Sequence, residues 1–272
     1  MGTTTSNGAE LPVTETGDRL AGDSVRYLYA VCRGLPPQAL DEVRGIGGEA
    51  VELVAHEDLM AVVSTVPMAS FGETALRRNL EDLGWLESTV RAHDAVIHAV
   101  AVWAPTAPLR FATVCFDDDA VRARLREWHE PLTAALDRVE GCVEWSVKVL
   151  TRPEAPAAAS DRAGLTGAEY LRRRKAETTR RAEGDEQAAA TARVVDDELA
   201  GRSQAKRELP AQDPRLSGHQ GTMVLNAAYL VREQDVAGFE ATLAALGEQH
   251  QHVVLDARGP WPPYSFAMLD ER

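Results

Sequence analysis

The side chains whose types and spacing could do chemistry are a few histidines, a run of carboxylates, a glycine-rich loop and an arginine cluster. His93 and His98 fall in a stretch of helical periodicity. Five residues apart on a helix they occupy different faces, so they do not form a ligand pair. His93 lies on the apolar stripe and reads as a core histidine with its nitrogens hydrogen-bonded. His250 and His252 flank Gln251 and share a face only in an extended chain. Two histidines alone make a poor metal site, and the stretch reads as a polar turn. Asp117-Asp118-Asp119 stands just before a helical pattern, where carboxylates act as N-cap and dipole partners. Gly45-Ile46-Gly47-Gly48-Glu49-Ala50 matches G-x-G-x-x-A. A dinucleotide loop needs a strand before it and a helix after it, and here the order is reversed. Cys32, Cys115 and Cys142 are far apart, each in an apolar run, and read as small hydrophobes rather than a zinc or redox motif. There is no G-x-S-x-G elbow, P-loop, H-E-x-x-H or C-x-x-C. These residues predict no catalytic site, no metal site and no cofactor.

The basic cluster Arg172-Arg173-Arg174-Lys175 with Arg180-Arg181 raises nucleic-acid binding. Glu169, Glu177, Glu183 and Glu186 are interleaved with it, and Tyr170 is its one aromatic neighbour. A solvated helix laced with i,i+4 pairs is the favoured reading, with docking to an acidic partner left open. A net charge of -13 over 272 residues also counts against phosphate-backbone binding as the main activity. No run is apolar enough to span a bilayer, and the reading is of a cytoplasmic protein. The opening Met1-Gly2 through Ser6 matches a myristoylation pattern formally, but residues 1–23 read as a disordered polar leader.

These residues are positioned by a chain that alternates strands and helices. Val25–Arg33 reads as an interior strand, with Tyr27, Tyr29 and Val31 on one face and Leu28, Ala30 and Cys32 on the other. Pro36-Pro37 opens a short helix closed by Gly45. Val51–Ala55 and Leu59–Val66 form a hairpin turning at His56-Glu57-Asp58. Ser70-Phe71-Gly72-Glu73 is a capping box. It predicts one long helix whose stripe runs Leu76, Leu80, Leu83, Leu86, Val90, His93, Ile97, Val100, bent or split near Gly84. A strand at Pro108–Phe116 follows, then a helix from Val121 to Val139 that Pro131 kinks or divides, then a strand at Cys142–Leu150. Thr151–Gly164 reads as a linker, and Thr166 opens a polar helix reaching about Glu208. Thr222–Val231 is a strand, Asp235 caps a helix ended by Gly247, and Val253 begins a last strand.

That strand breaks at Gly259-Pro260 into an arm carrying Trp261, Tyr264 and Phe266, which its prolines bar from helix. An arm this apolar must lie across the protein or across a partner. Trp261, Tyr264 and Phe266, with Arg110 and Phe111, are the candidate partner-interface or interdomain residues. The fold class is α+β in two domains. Residues 24–140 form the N-terminal α+β domain. Residues 141–272 form a modified ferredoxin-like domain, with a linker and helical extension over 151–217 and a tail over 259–272 packing across both.

Several of these stretches together resemble the gas vesicle protein F/L family (GvpF/GvpL). They are Tyr27-Leu28-Tyr29, Asp58-Leu59 through Val62-Val63-Ser64, Trp85-Leu86 with Ala92-His93, and Pro108 through Val114. Leu225 through Val231 and Gly259-Pro260-Trp261-Pro262-Pro263-Tyr264-Ser265-Phe266 complete the set. The resemblance implies two α+β domains, the second ferredoxin-like with extra helices, joined by a C-terminal tail. It implies an accessory protein of gas vesicle formation, an assembly factor or minor structural component. Its partners would be the small apolar shell protein and other accessory proteins, with location in the cytoplasm and at the gas vesicle. No nucleic acid and no small-molecule substrate are implied, and no catalytic residues come with the family. The alternative is an enzyme on a ferredoxin-like scaffold acting on an unknown small molecule, which convergent perturbed ionisable groups in a pocket would favour.

Overall fold

The computed structural model describes residues 24–152, 167–212 and 221–267. The leader, most of the linker and the Thr166 cap lie outside the described residues. The first sheet is built on β1 (Ser24–Arg33), apolar on both faces and therefore interior. It pairs antiparallel with β3 (Leu59–Pro67) on one side, and with β4 (Thr106–Pro108) and β5 (Val114–Cys115) on the other. β2 (Glu52–His56) forms the hairpin with β3 and the sheet edge, giving the order β2-β3-β1-β4. The alternation along β1 slips at a bulge between Leu28 and Ala30. Ala30 and Cys32 therefore join Tyr27 and Tyr29 on one face, and Val31 joins Leu28 on the other. This corrects the predicted grouping: an extra residue reverses the side on which every later residue falls.

The long helix predicted from the capping box is three: α1 (Met68–Phe71), α2 (Glu73–Asn79) and α3 (Leu83–Ala101). Ser70 lies within α1 and caps nothing, whereas the Asp82 carboxylate caps α3 by accepting from the N–H of Gly84 and of Trp85. Leu83, at the first position of the newly capped helix, faces solvent instead of the core. The strand predicted over 108–116 is likewise two short ones. Between β4 and β5 the chain turns, with Ala112 at φ 66°. Asp117 does cap the next helix, accepting from the N–H of Ala120. Pro131 divides the stretch as expected, into α4 (Asp118–Glu127) and α5 (His129–Val139). It sits in the first turn of α5, where its missing N–H has no intrahelical partner to lose.

The second sheet takes β6 (Cys142–Thr151), β7 (Ala205–Glu208), β8 (Met223–Arg232) and β9 (Val253–Trp261), all antiparallel in the order β7-β8-β6-β9. α6 (Gly167–Ala200) connects β6 to β7, and α7 (Val236–Gln249) connects β8 to β9. The predicted helix through Glu208 ends at Ala200, and Ala205–Glu208 leaves it to pair with β8 as an edge strand. Gly247 lies inside α7 rather than ending it. β9 does not break at Gly259-Pro260 but continues to Trp261, opposite Glu144. A Cβ on Gly259 would come 2.8 Å from the Trp145 ring and 2.9 Å from the Glu144 carbonyl, so only glycine lets β9 pass there. After Pro262-Pro263 the arm forms a helical turn, α8 (Tyr264–Ala267), against the expectation that its prolines forbid helix. Proline is barred from the interior of a helix, not from the residues leading into it.

Packing stacks these elements in layers. α1, α2 and α3 cover one face of the first sheet around Tyr27, Tyr29, Val96 and Ile97. Its other face, with Leu28, Leu59 and Val63, packs on α4 and α5 through Val121, Leu125, Leu132 and Leu136. The same cluster takes in Ala228 and Leu230 of the second sheet and Phe266 of α8. The far face of the second sheet packs Val147 and Tyr229 against Ala188, Val195 and Leu199 of α6 and Phe239 of α7.

Candidate functional site

The arm crosses from the second sheet onto the first half of the chain, and specific polar bonds hold it there. Glu144 on β6 is buried, and its two carboxylate oxygens accept from the Ser265 backbone N–H and the Ser265 hydroxyl, both at 2.7 Å. Burial pushes the Glu144 carboxyl above its usual range, and the bonds from Ser265 pull it part of the way back. Arg207 on β7 donates to the Ser265 carbonyl at 2.7 Å. One turn of α3 receives the arm from the other side. The Tyr264 hydroxyl donates to the Asp94 carboxylate at 2.6 Å, and the Trp261 ring meets His98 edge to face at 5.5 Å. Burial first, and then the Asp94 carboxylate, hold the Tyr264 hydroxyl well above the usual phenol range.

The five predicted residues therefore divide. Phe266 is buried in the layer between the sheets, and Tyr264 is partly buried against the first core. Phe111 packs edge-on against His93 at 5.8 Å and Tyr27 at 6.4 Å. Trp261 stays 43% exposed, and Arg110 is exposed on the turn after β4. Trp261 and Tyr264 are brought together on one stripe of α3. Val102 extends that stripe one turn beyond His98, followed by Trp103 at 57% exposure. Sequence reasoning passed over Asp94, Glu144, Val102 and Trp103. Val102-Trp103 carried a signal: two large apolar residues beyond the last core position of a helix have no buried side left to occupy.

His93 is the buried core histidine its position predicted. Tyr27 Oη accepts from the Ala112 N–H and lies 3.0 Å from His93 Nδ1, so the hydroxyl proton goes to that nitrogen. Burial lowers the imidazole from 6.5 to about 4, against the pull of the Asp94 carboxylate and of a bond that the ring donates to the Leu109 backbone, both of which raise it. The glycine loop at 45–50 carries no helix suited to phosphate. It folds onto β1, where the Ile46 N–H donates to Tyr29 Oη at 2.9 Å.

Among the described residues one group has metal-ligand spacing, Glu57, Asp58 and His129. His129 Nε2 lies 2.8 Å from Asp58 and 3.2 Å from Glu57. This ties the β2–β3 turn to the start of α5, and it holds the Asp58 carboxyl below its usual range. A hollow of about 450 Å³ opens beside Phe116, lined among others by Arg26, Thr65 and Asp117 to Asp119. The strongly shifted His93, Tyr27 and Tyr264 lie in packed surroundings elsewhere. The constellation expected of an acid–base enzyme, shifted groups converging on a cavity, is not what surrounds this hollow. No helix of the described residues is long and apolar enough to cross a membrane.

Comparison with known proteins bears on the same architecture. The model of the family described as "Gas vesicle synthesis protein GvpL/GvpF" matches residues 25–268. Gas vesicle protein L of Streptomyces sp. (strain CB03234) is 42% identical over 260 residues, covering 93% of this chain and 96% of that protein. Gas vesicle protein F of the same strain is 29% identical over 248 residues, covering 88% and 98%. The fold is shared with the crystal structure of GvpF from Anabaena sp. PCC7120, at a TM-score of 0.67 and 18% identity over 91% of this chain and 98% of that one. The family match spans both sheets, the layer between them and the arm that ties them, and so the chain belongs to the GvpL/GvpF family of gas vesicle proteins.

Proposed function

We propose that the chain serves gas vesicle formation without catalysis, as an assembly factor or minor structural component that lends surface to the small apolar shell protein and to other accessory proteins. The family match over 25–268 carries this reading. In this reading the protein acts in the cytoplasm and at the gas vesicle, which the family match supports. A subunit that assembles through apolar surface needs temporary cover before it is incorporated, and an exposed apolar patch offers it. Val102, Trp103 and Trp261, all exposed, are the apolar residues we assign to that role, Trp261 lying where the arm meets α3 at His98 and Tyr264 locks it to Asp94. Arg110, Phe111 and Phe266 stay interface or interdomain candidates in the proposal, Phe111 packed on Tyr27 and His93 and Phe266 in the layer between the sheets.

In the same reading the molecule divides at residues 140 and 141, and the second half is a ferredoxin-like unit. The connectivity β6-α6-β7-β8-α7-β9 and the sheet order β7-β8-β6-β9 support it. The test is co-purification with the shell protein. Trp103→Ser with Trp261→Ser is expected to keep the fold and lose most of the captured partner. Tyr264→Phe should act more weakly, by loosening the arm. Full retention of the partner by a correctly folded double variant would remove this surface from the function.

A further inference from the structure

His129 opens α5, and its Nε2 faces the β2–β3 turn, 71 positions earlier in the chain. Two carboxylates meet it there. An Asp58 oxygen lies 2.8 Å from that nitrogen, and a Glu57 oxygen lies 3.2 Å from the same atom. The bond from His129 holds the Asp58 carboxyl below its usual range, so it is ionised at neutral pH. A single N–H points at one acceptor. One proton on Nε2 therefore serves one carboxylate well and leaves the other beside it, the three ligand atoms lying within 4.8 Å of one another. Like charges that close repel. An ion of higher charge at the same point would hold both.

The spacings are those of a metal's ligand shell. Imidazole nitrogen and carboxylate oxygen sit about 2.0–2.2 Å from zinc, so neighbouring ligands are about 2.8–3.6 Å apart. The two separations from His129, 2.8 and 3.2 Å, fall in that range. A second imidazole stands close by: His56 Nε2 is 3.8 Å from the other Glu57 oxygen, where it steadies that carboxylate. Imidazole beside carboxylates favours a divalent transition metal over calcium or magnesium, which take oxygen ligands. The local charge agrees. Arg33 is the guanidinium that acts on Asp58, and it is itself held by Asp137 at 2.7 Å and Glu140 at 3.7 Å. Four carboxylates against one guanidinium leave a net -3 with the imidazoles neutral. Around His129 in the chain, Arg124 and Arg126 are balanced by Glu127 and Glu130 and leave that sum unchanged.

We propose that Glu57, Asp58 and His129 form a structural site for a divalent transition-metal cation such as zinc, which clips the β2–β3 turn to the start of α5. His129 binds through the Nε2 lone pair and keeps its proton on Nδ1, and each carboxylate gives one oxygen. Glu57 and Asp58 are exposed, so water reaches the site and takes the fourth position. α5 carries Leu132 and Leu136 into the layer between the sheets, and the clip fixes the beginning of that helix. The site stands apart from the vesicle role and from the surface at Trp103 and Trp261.

The test is titration of the untagged, chelator-treated full chain with Co²⁺ and then Zn²⁺. Co²⁺ is expected to give visible d–d absorption that saturates at about one equivalent and that Zn²⁺ bleaches by displacing it. Zn²⁺ should also raise the thermal midpoint, as any ligand of the folded state does. It should slow hydrogen exchange in the β2–β3 turn and the first turn of α5. Asp58→Asn keeps an acceptor for His129, and His129→Gln removes the imidazole. Each should weaken Co²⁺ binding by more than about tenfold, a loss that even an outer partner of a metal ligand can cause. Glu57→Gln, at an exposed turn position, gives the same reading should His129→Gln fail to fold. His252→Gln, which breaks up the other close histidine pair, should bind as the wild type does. Absorption that never saturates means an adventitious ion only and overturns the proposal. So does binding that survives Asp58→Asn and Glu57→Gln, or that is lost in His252→Gln. Saturable binding that leaves exchange in the turn and in α5 unchanged overturns the clip.

Discussion

At the scale of single residues, the side chains that looked chemical turn out to be ties. His93 illustrates both what a sequence can tell and what it cannot. Its place on an apolar stripe predicts burial, but nothing local announces Tyr27, 66 positions away, as the donor to its Nδ1. The consequence is measurable. The folded histidine resists protonation down to about 4, while the unfolded chain accepts a proton near 6.5. A depressed pKa contributes stability above the unfolded value, and that stability is lost as the pH falls toward the folded one. Between pH 7 and pH 5 the wild type is expected to lose about 2 kcal/mol through this group. His93→Asn keeps an acceptor near the Nδ1 position and removes the titration, so chemical unfolding of the variant should lack that part of the slope. An identical pH dependence in both proteins would show that His93 titrates normally. Ser265 gives a second case. Ser265→Ala removes one of the two bonds to the buried Glu144. Losing a bond to a buried charge costs about 2 kcal/mol. The Glu144 carboxyl should rise further, as carboxyl-carbon NMR would read, and an unmoved carboxyl would mean that water replaces the hydroxyl.

At the scale of elements, what was legible followed from local pattern, and what was not followed from distant pairing. β1 and β8 announce themselves by being apolar on both sides, β6 by alternating Val143, Trp145, Val147 and Val149 with polar residues, and α4 and α5 by their stripes. β7 could not be seen, because Lys206, Arg207 and Glu208 are an edge strand's polar residues and their place is set by pairing with β8. The bulge in β1 and the turn at Ala112 are set in the same way, by strands from elsewhere. The split of the long helix had a local cause in Asp82, a better cap for α3 than the chain offers for continuing α2. The glycine loop shows why a motif needs its surroundings. Gly45 is there because Tyr29 and Ser64 stand where a side chain would be: a Cβ would lie 2.3 Å from Tyr29 Oη and 2.4 Å from Ser64 Oγ. Gly45→Ala is expected to displace Tyr29 and cost about 1–3 kcal/mol, the range for overpacking a filled core. Thermal unfolding checks this, and a variant as stable as the wild type would show that the loop can simply lift away.

At the scale of the molecule, the layer shared by the two sheets was the least legible feature, since no stretch of sequence contains more than one side of it. α5 presents Leu132 and Leu136 to a cluster that also holds Leu28 and Leu59 from the first sheet, Leu230 from the second and Phe266 from the arm. Cutting the chain between α5 and β6 divides the sequence cleanly but runs through this cluster in space. Two sheets that share buried side chains cannot lose them one at a time without exposing the other's apolar face to water, so a defect in the layer must be felt by both. Leu132 is the sharpest probe, being fully buried on the helix between them. Leu132→Ala should cost about 2–5 kcal/mol. Hydrogen exchange read by mass spectrometry should then show amides of β3 and β8 losing protection together and by similar factors. Val195→Ala, on the outer face of the second sheet, serves as the contrast and should affect β8 more than β3. If Leu132→Ala loosens β3 and leaves β8 as protected as before, the layer does not couple the sheets, and the polar bonds of Ser265 and Tyr264 alone would have to hold the arm across them.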